Sequence, residues 1–115
     1  MPLPAATLAQ LRAMVGADQV LTSKEDLIPY SFDGTAALNQ MPGCVVFVTT
    51  TEQIAGVLKL ANSTKNPVVT RGSGTGLSGG SLPSPDCIVM CTARMNRILE
   101  VDRANLTMLV EPGVT

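Results

Sequence analysis

The sequence contains no histidine and no tryptophan, and aromatic residues make up only 3% of its 115 residues. Without histidine, the residue type that most often acts as a general base near neutral pH is missing. The scarcity of aromatic side chains removes the platforms on which many proteins stack nucleic-acid bases. The net charge of −1 also provides no basic surface for a phosphate backbone. We therefore expect no nucleic-acid partner and no catalytic residue in this chain.

No apolar run reaches the ~18 residues that a membrane-spanning helix needs. The first four residues, Met-Pro-Leu-Pro, lack the basic start of a signal peptide. These two absences predict a cytoplasmic protein with no membrane span.

The three cysteines, Cys44, Cys87 and Cys91, do not suggest a metal site. A structural zinc site takes four ligands, and the chain has no histidine to supply the fourth. On a strand, Cys87 and Cys91 would lie on one face but roughly 13 Å apart, which is too far for a disulfide. We expect all three to be buried, reduced thiols.

Hydrophobic residues make up 45% of the chain, enough for one small domain with a single core. Apolar residues recur with helical spacing over Ala5–Val15 and again over residues 51–62. The first helix could instead begin later, with Thr7 and Gln10 as a capping box. The stripes are Leu8, Leu11 and Val15 in the first helix, and Ile54, Val57, Leu58 and Ala61 in the second.

Apolar runs at residues 44–48, 68–70 and 87–91 predict strands, with a further short extended piece at residues 20–22. Ser23 and Thr50 each precede a predicted helix as its cap. The succession of strand, helix and strand from residue 44 to 70 forms a βαβ unit, so its two strands should be parallel. Residues 98–102 and 106–111 suit a hairpin. The fold class is therefore α+β: a βαβ unit plus further strands, with helices packed on the sheet.

The most informative stretch follows the strand at residues 68–70. Five of the nine residues from 72 to 80 are glycine, and Arg71 stands at the start. Glycine lets a ligand approach the backbone closely, and successive backbone N–H groups can form a nest for an anion. With the hydroxyls of Ser73, Thr75 and Ser78, the loop is typical of a cradle for a nucleotide pyrophosphate. The alternative is a flexible Gly/Ser linker, which would not need an apolar strand before it.

Two common phosphate motifs do not fit this loop. Residues 74–79 match G-x-G-x-x-G, but the Rossmann fingerprint needs a helix to open directly after the glycines. Here two glycines and two prolines follow within residues 79–85, which disfavours a helix. The P-loop needs a lysine before its final Ser or Thr, and the loop contains no lysine.

Three segments carry a resemblance to the FAD-linked oxidases, the family of vanillyl-alcohol oxidase and p-cresol methylhydroxylase (PCMH). They are the string R-G-S-G-T-G-L-S-G-G at residues 71–80, M-N-R-I-L-E-V-D at residues 95–102, and V-E-P-G-V at residues 110–114. Within this family the chain looks closest to the D subunit of glycolate oxidase and to D-lactate dehydrogenases. Residues 30–34 and 51–54 also fit that subfamily.

The resemblance implies that residues 1–115 are the first subdomain of a PCMH-type FAD-binding domain, with the second subdomain and the cap domain absent. It implies a parent flavoenzyme that oxidises a small 2-hydroxy acid, glycolate or D-lactate, and whose partners could include other oxidase subunits. The fragment alone would be inactive. The implied FAD-binding residues are Arg71, Gly72, Ser73, Gly74, Thr75, Gly76, Leu77, Ser78, Pro112 and Gly113. Covalent members of the family commonly place a histidine four residues after the arginine. Thr75 stands there, so the FAD should be non-covalent.

Two other functions stay open from the sequence. The same loop could serve a non-catalytic nucleotide-binding module, or it could be empty in a structural fragment that associates with itself through an open strand edge. The carboxylates Asp33, Glu100, Asp102 and Glu111 are expected to be solvated surface groups. Residues 30–41 show no clear period, and we expect an irregular surface segment there.

Overall fold

The computed structural model describes residues 3–35 and 37–115. Three α-helices and six strands occur in these ranges, together with 3-10 turns at Ala17–Gln19 and Ile28–Tyr30. The helices are α1 (Ala5–Val15), α2 (Lys24–Leu27) and α3 (Thr51–Thr64). The strands are β1 (Val20–Leu21), β2 (Cys44–Phe47), β3 (Val68–Arg71), β4 (Ile88–Cys91), β5 (Ile98–Asp102) and β6 (Thr107–Val110).

A four-stranded sheet in the order β1-β2-β4-β3 forms the centre of the molecule. Both β2 and β3 pair with β4 in parallel, whereas β1 runs antiparallel to β2. The predicted parallel relation of the two strands of the βαβ unit is therefore confirmed, and β4 lies between them. The carboxyl ends of β2, β3 and β4 consequently meet at one edge of the sheet.

The middle of this sheet is covered on both faces. Every residue of β2 and β4 is buried, as their unbroken apolar runs predict. One face packs against α1 and α3, with Leu11, Val57 and Ile88 fully buried between them. The other face holds Leu27, Phe47 and the two cysteines Cys87 and Cys91.

The helix starts follow the local capping chemistry. The Ser23 hydroxyl accepts from the backbone N–H of Asp26, and the Thr50 hydroxyl accepts from that of Gln53, both at 3.2 Å. The Gln53 side chain reaches back to the Thr49 N–H at 2.8 Å and completes the cap. In α1 the capping-box alternative is wrong, because the helix begins at Ala5 and Thr7 is buried within it.

One residue of the apolar stripe predicted for α3 is not buried, so the prediction is wrong at that position. Leu58 is 46% exposed, and Leu60 is buried in its place beside Val57 and Ala61. Leu58 lies four residues after Ile54 and Leu60 three residues after Val57, so helical spacing alone does not choose between them. No helix among the described residues has the length and apolar character needed to cross a membrane.

Strands β5 and β6 form a separate antiparallel hairpin, which confirms the predicted pairing. Four of the five residues of β5 and all four of β6 are exposed. The hairpin therefore projects from the domain instead of contributing to its core.

Candidate functional site

The glycine-rich loop, residues 72–80, leaves the carboxyl end of β3 without forming a helix, as predicted. Its first end is hydrogen-bonded to the neighbouring strand: the N–H of Thr92, just after β4, donates to the carbonyl oxygen of Arg71, just before the loop, at 2.9 Å. The loop thus lies at the edge of the sheet where the parallel strands end, which is where open α/β sheets place their ligands.

The amides of this loop have no internal partners. Within the described part of the chain, no backbone N–H group from residue 72 to residue 80 donates a hydrogen bond to another residue. The loop carbonyls do accept: Gly76 O takes a bond from the Gly34 N–H at 2.8 Å, and Gly79 O one from Leu82. Because backbone N–H groups are strong donors that need a partner, this run offers a row of donors to water or to an anion.

The glycine positions show that there is room above these amides. A Cβ built on Gly72, Gly76, Gly79 or Gly80 would meet no atom within 4 Å. Gly74 and Gly79 have φ of +75° and +77°, where a side chain is strained. The residues therefore fit a large, phosphate-bearing group, which could approach the backbone at the open glycines. Leu77 at the loop tip is 78% exposed, and the hydroxyls of Thr75 and Ser78 belong to exposed residues.

Arg71 turns away from the loop mouth and is buried. Its Nη1 donates to the Phe32 carbonyl oxygen at 2.6 Å and its Nη2 to that of Pro29 at 3.3 Å. The guanidinium carbon lies 5.3 Å from the centre of the Tyr30 ring. A Cβ on Gly74 would lie 2.1 Å from Nη2, so the loop backbone rests directly on this side chain. The arginine therefore supports the loop backbone at Gly74 and connects it to residues 29–32.

The carboxyl-terminal residues return to the same edge. The Gly113 N–H donates to the Met95 carbonyl oxygen at 2.8 Å, and a Cβ on Gly113 would lie 2.0 Å from the Thr92 carbonyl oxygen. A cavity of about 320 Å³ is lined here by Ser73, Ala93, Asn96, Ile98, Gly113, Val114 and Thr115. The structure thus brings the start of the loop and Gly113 together. Pro112 beside it is exposed.

The family model for the FAD binding domain matches residues 42–115, which include the loop, the end of β4 and the segment around Gly113. The chain belongs to this FAD-binding family. Glycolate oxidase subunit GlcD of Escherichia coli K12 is 38% identical over 107 residues, which are 93% of this chain and 21% of that protein. D-lactate dehydrogenase of Archaeoglobus fulgidus is 40% identical over 90 residues, or 75% of this chain and 20% of that enzyme.

A solved structure of p-cresol methylhydroxylase with substrate bound superposes with a TM-score of 0.86 at 32% identity. The matched region covers 96% of this chain and 22% of the p-cresol methylhydroxylase chain. The predicted fold class is confirmed by this match and by the observed sheet. The chain spans about a fifth of the length of the relatives it matches.

One site feature of this FAD-binding domain was missed from the sequence. Asp33 was expected at the solvated surface, but it is only 7% exposed. Its Oδ1 accepts from the Thr35 N–H at 2.7 Å, and that hydrogen bond lowers the pKa of the carboxyl group. The segment around it packs on the glycine loop through the bond from Gly34 to Gly76. Residues 31–35 and 37–41 form no helix or strand, as predicted for an irregular segment, but its surface position is partly wrong because Ser31 and Asp33 are buried. Ala36 lies outside the described residues.

The cysteines are buried and free, as predicted. Burial raises the pKa of the Cys44 thiol to about 12, so it is protonated at neutral pH. The Cys91 thiol lies under the loop and donates to the Gly72 carbonyl oxygen at 3.7 Å. These thiols pack the sheet.

Proposed function

We propose that this chain forms the pyrophosphate-holding half of a non-covalent FAD site in an oxidoreductase that acts on a 2-hydroxy acid, glycolate or D-lactate. The observation that carries the proposal is the row of unpartnered backbone N–H groups at residues 72–80, with open space above four of the glycines. Such a row stabilises negative charge in the way that backbone nests do.

Each proposed site residue has a distinct part. The amides of residues 72–78 and the hydroxyls of Ser73 and Thr75 would hold the pyrophosphate oxygens. Arg71 supports the loop without facing the ligand. Gly113, which shares a cavity with Ser73, would lie beside the flavin together with Pro112. The bound FAD would supply the acceptor for the two electrons of the substrate, and we assign no catalytic residue to this chain.

We further propose that residues 1–115 are a first subdomain and that a second subdomain and a cap domain complete the enzyme. This proposal is supported by the fifth of each relative that the chain spans. It is also supported by the exposure of residues 75–78 in the loop, since cofactor sites bury most of a ligand's surface. The hydroxy-acid substrate, any further oxidase subunits and the cytoplasmic location are suggested by the relatives named above and by the sequence, and each stays a prediction.

The test is a titration of the ¹⁵N-labelled chain with FAD and, separately, with ADP, followed by amide chemical shifts. We expect shifts concentrated at residues 72–80 with weak affinity for both ligands, because one subdomain offers only one wall. Shifts elsewhere, or none at millimolar ligand, would contradict the cradle. Submicromolar FAD affinity would contradict the half-site proposal.

A variant sharpens this test. Gly76→Val should abolish the loop shifts while the rest of the spectrum is retained, because the valine side chain would fill the open space above the amides. The strain of a positive φ is not involved, since Gly76 is absent from the positive-φ glycines. Gly56→Ala in α3, where the added methyl meets only the flexible Met14 side chain at 3.0 Å, is the matched control.

A further inference from the structure

The segment at residues 29–35 forms a floor under the glycine loop, although it lies far upstream in the sequence. Its backbone receives both hydrogen bonds of the Arg71 guanidinium. At its end the Gly34 N–H donates to the Gly76 carbonyl oxygen at 2.8 Å. The loop is therefore held from a second side, independently of the sheet edge from which it springs.

Gly34 makes this contact sterically possible. A Cβ on Gly34 would lie 2.7 Å from the Gly76 carbonyl oxygen and 2.8 Å from that of Thr75. Both neighbours are backbone atoms, which cannot move aside as the end of a flexible side chain can. Any side chain at position 34 must displace the middle of the loop, where the amides are unpartnered.

Asp33 fixes the turn that presents Gly34. Its carboxylate accepts the Thr35 N–H on one side. The backbone N–H of Ser81, just after the loop, also helps to lower the pKa of this carboxyl group. The second oxygen, Oδ2, is buried and has no hydrogen-bond partner among the described residues. A buried carboxylate oxygen without a partner is costly, so this group is held in place by its surroundings.

We infer that Asp33 and Gly34 are positioning residues for the nucleotide site: they set the shape of the loop whose amides hold the diphosphate. This inference rests on the proposed function. The direction in which diphosphate binding changes when Asp33 is neutralised distinguishes this role from a purely electrostatic one. Asp33 carries a negative charge next to a site for an anion, so simple electrostatics predicts that neutralising it would strengthen diphosphate binding. A positioning role predicts the reverse.

The experiment compares Asp33→Ala with Asp102→Ala in the ¹⁵N-labelled chain titrated with ADP, because alanine removes both the charge and the hydrogen-bond acceptor. Asp102 is a matched control, because its carboxylate accepts the Asn105 N–H at 3.1 Å in a turn of the hairpin. We expect Asp33→Ala to weaken ADP binding roughly tenfold, the loss expected for one hydrogen bond to a charged group, and Asp102→Ala to leave it unchanged. Unchanged or stronger binding by Asp33→Ala would overturn the inference.

A second pair of variants guards against simple destabilisation. Gly34→Ala should shift the amides of residues 72–80 in the free chain and weaken ADP binding. Gly43→Ala, where the methyl would lie 3.0 Å from the Cys87 carbonyl oxygen, should lower stability and leave the ADP affinity of the folded molecules unchanged. If both variants lower stability alike and neither changes affinity, the floor has only a structural role. If the unmodified chain shows no loop shifts with ADP, the proposed function itself fails.

Discussion

At the scale of single residues, the glycine loop is shaped as much by what lies beneath it as by its own flexibility. Gly74 combines a positive φ with direct contact on the Arg71 guanidinium. Gly80 has neither feature. Two glycines of one motif thus have different tasks, and their substitution should have different consequences.

We expect Gly74→Ala to destabilise the fold by about 1–3 kcal/mol, because the methyl group adds left-handed strain and collides with a buried side chain. Gly80→Ala should stay within about 0.5 kcal/mol of the unmodified chain, as surface substitutions usually do. Urea unfolding followed by circular dichroism measures both. Equal stability of the two variants would mean that Gly74 does not rest on Arg71.

Thr75 bears on the attachment of the cofactor. It stands at the position where the resemblance described above commonly places a histidine in covalent members, and the chain has no histidine at all. Acid denaturation of a flavin-loaded protein that contains this chain should release the flavin into the supernatant. Flavin fluorescence that migrates with the band on a denaturing gel, in a peptide from residues 1–115, would contradict non-covalent binding.

Individual residues also show where sequence reasoning succeeds and where it fails. The caps at Ser23 and Thr50 were predictable, because each depends on neighbours within three residues. The burial of Asp33 was not, because it depends on a loop more than forty residues away in the chain. Local patterns cannot reveal a contact made only by the tertiary fold.

At the scale of elements, an ion pair joins the two strands of the hairpin at the end away from its turn. Arg97 lies just before β5 and Glu111 just after β6, and the Nε and Nη2 groups of the arginine both donate to Oε1 of the glutamate, at 3.0 and 2.7 Å. The Arg97 N–H also donates to Glu111 at 2.9 Å, and the Glu111 N–H to the Arg97 carbonyl oxygen at 3.0 Å. These bonds lower the pKa of the Glu111 carboxyl group.

This lowered pKa fixes the direction of a pH effect. The pairing is fully present above the ordinary glutamate pKa and is lost as the pH falls through the lower folded value. We expect amide exchange in β5 and β6 to speed up as the pH falls through that range, after correction for intrinsic rates. Glu111→Gln should show faster exchange already at neutral pH and little further acid dependence. Glu100→Gln, an exposed residue of β5, serves as the control.

Element types and order followed from periodicity, and the parallel relation of β2 and β3 followed from the helix between them. The position of β4 between these strands did not follow, since an apolar run records burial but not its neighbours. Likewise Leu58 and Leu60 both have apolar side chains at helical spacing, and only packing against α1 and the sheet selects Leu60.

At the scale of the whole molecule, the exposed hairpin is the largest departure from an ordinary domain surface. Seven large apolar side chains are exposed on it, from 41% to 91%: Ile98, Leu99, Val101, Leu106, Met108, Leu109 and Val110. An isolated two-stranded hairpin is marginal in water, and exposed apolar patches of this kind favour association.

We therefore expect the 115-residue chain to associate with itself in a concentration-dependent way, measured by sedimentation velocity. Val101 and Met108 are directly opposite in the hairpin. Changing them to Lys and Glu respectively should yield monomers, because a cross-strand ion pair replaces the apolar contact. Leu58→Lys on α3 should leave the association unchanged. A chain that is monomeric at all concentrations would refute this expectation.

The central position of β4 also has a consequence for how the domain is made. Within residues 3–35 and 37–115, β3 pairs only with β4, and β2 pairs with β4 and with the two-residue β1. As the chain grows from its amino terminus, the glycine loop leaves the ribosome before the strand that anchors β3. A nascent chain that pauses before residue 88 carries the complete glycine loop, yet lacks the strand that joins β3 to the sheet. The binding site can therefore form only after β4 has been synthesised and has paired with β3.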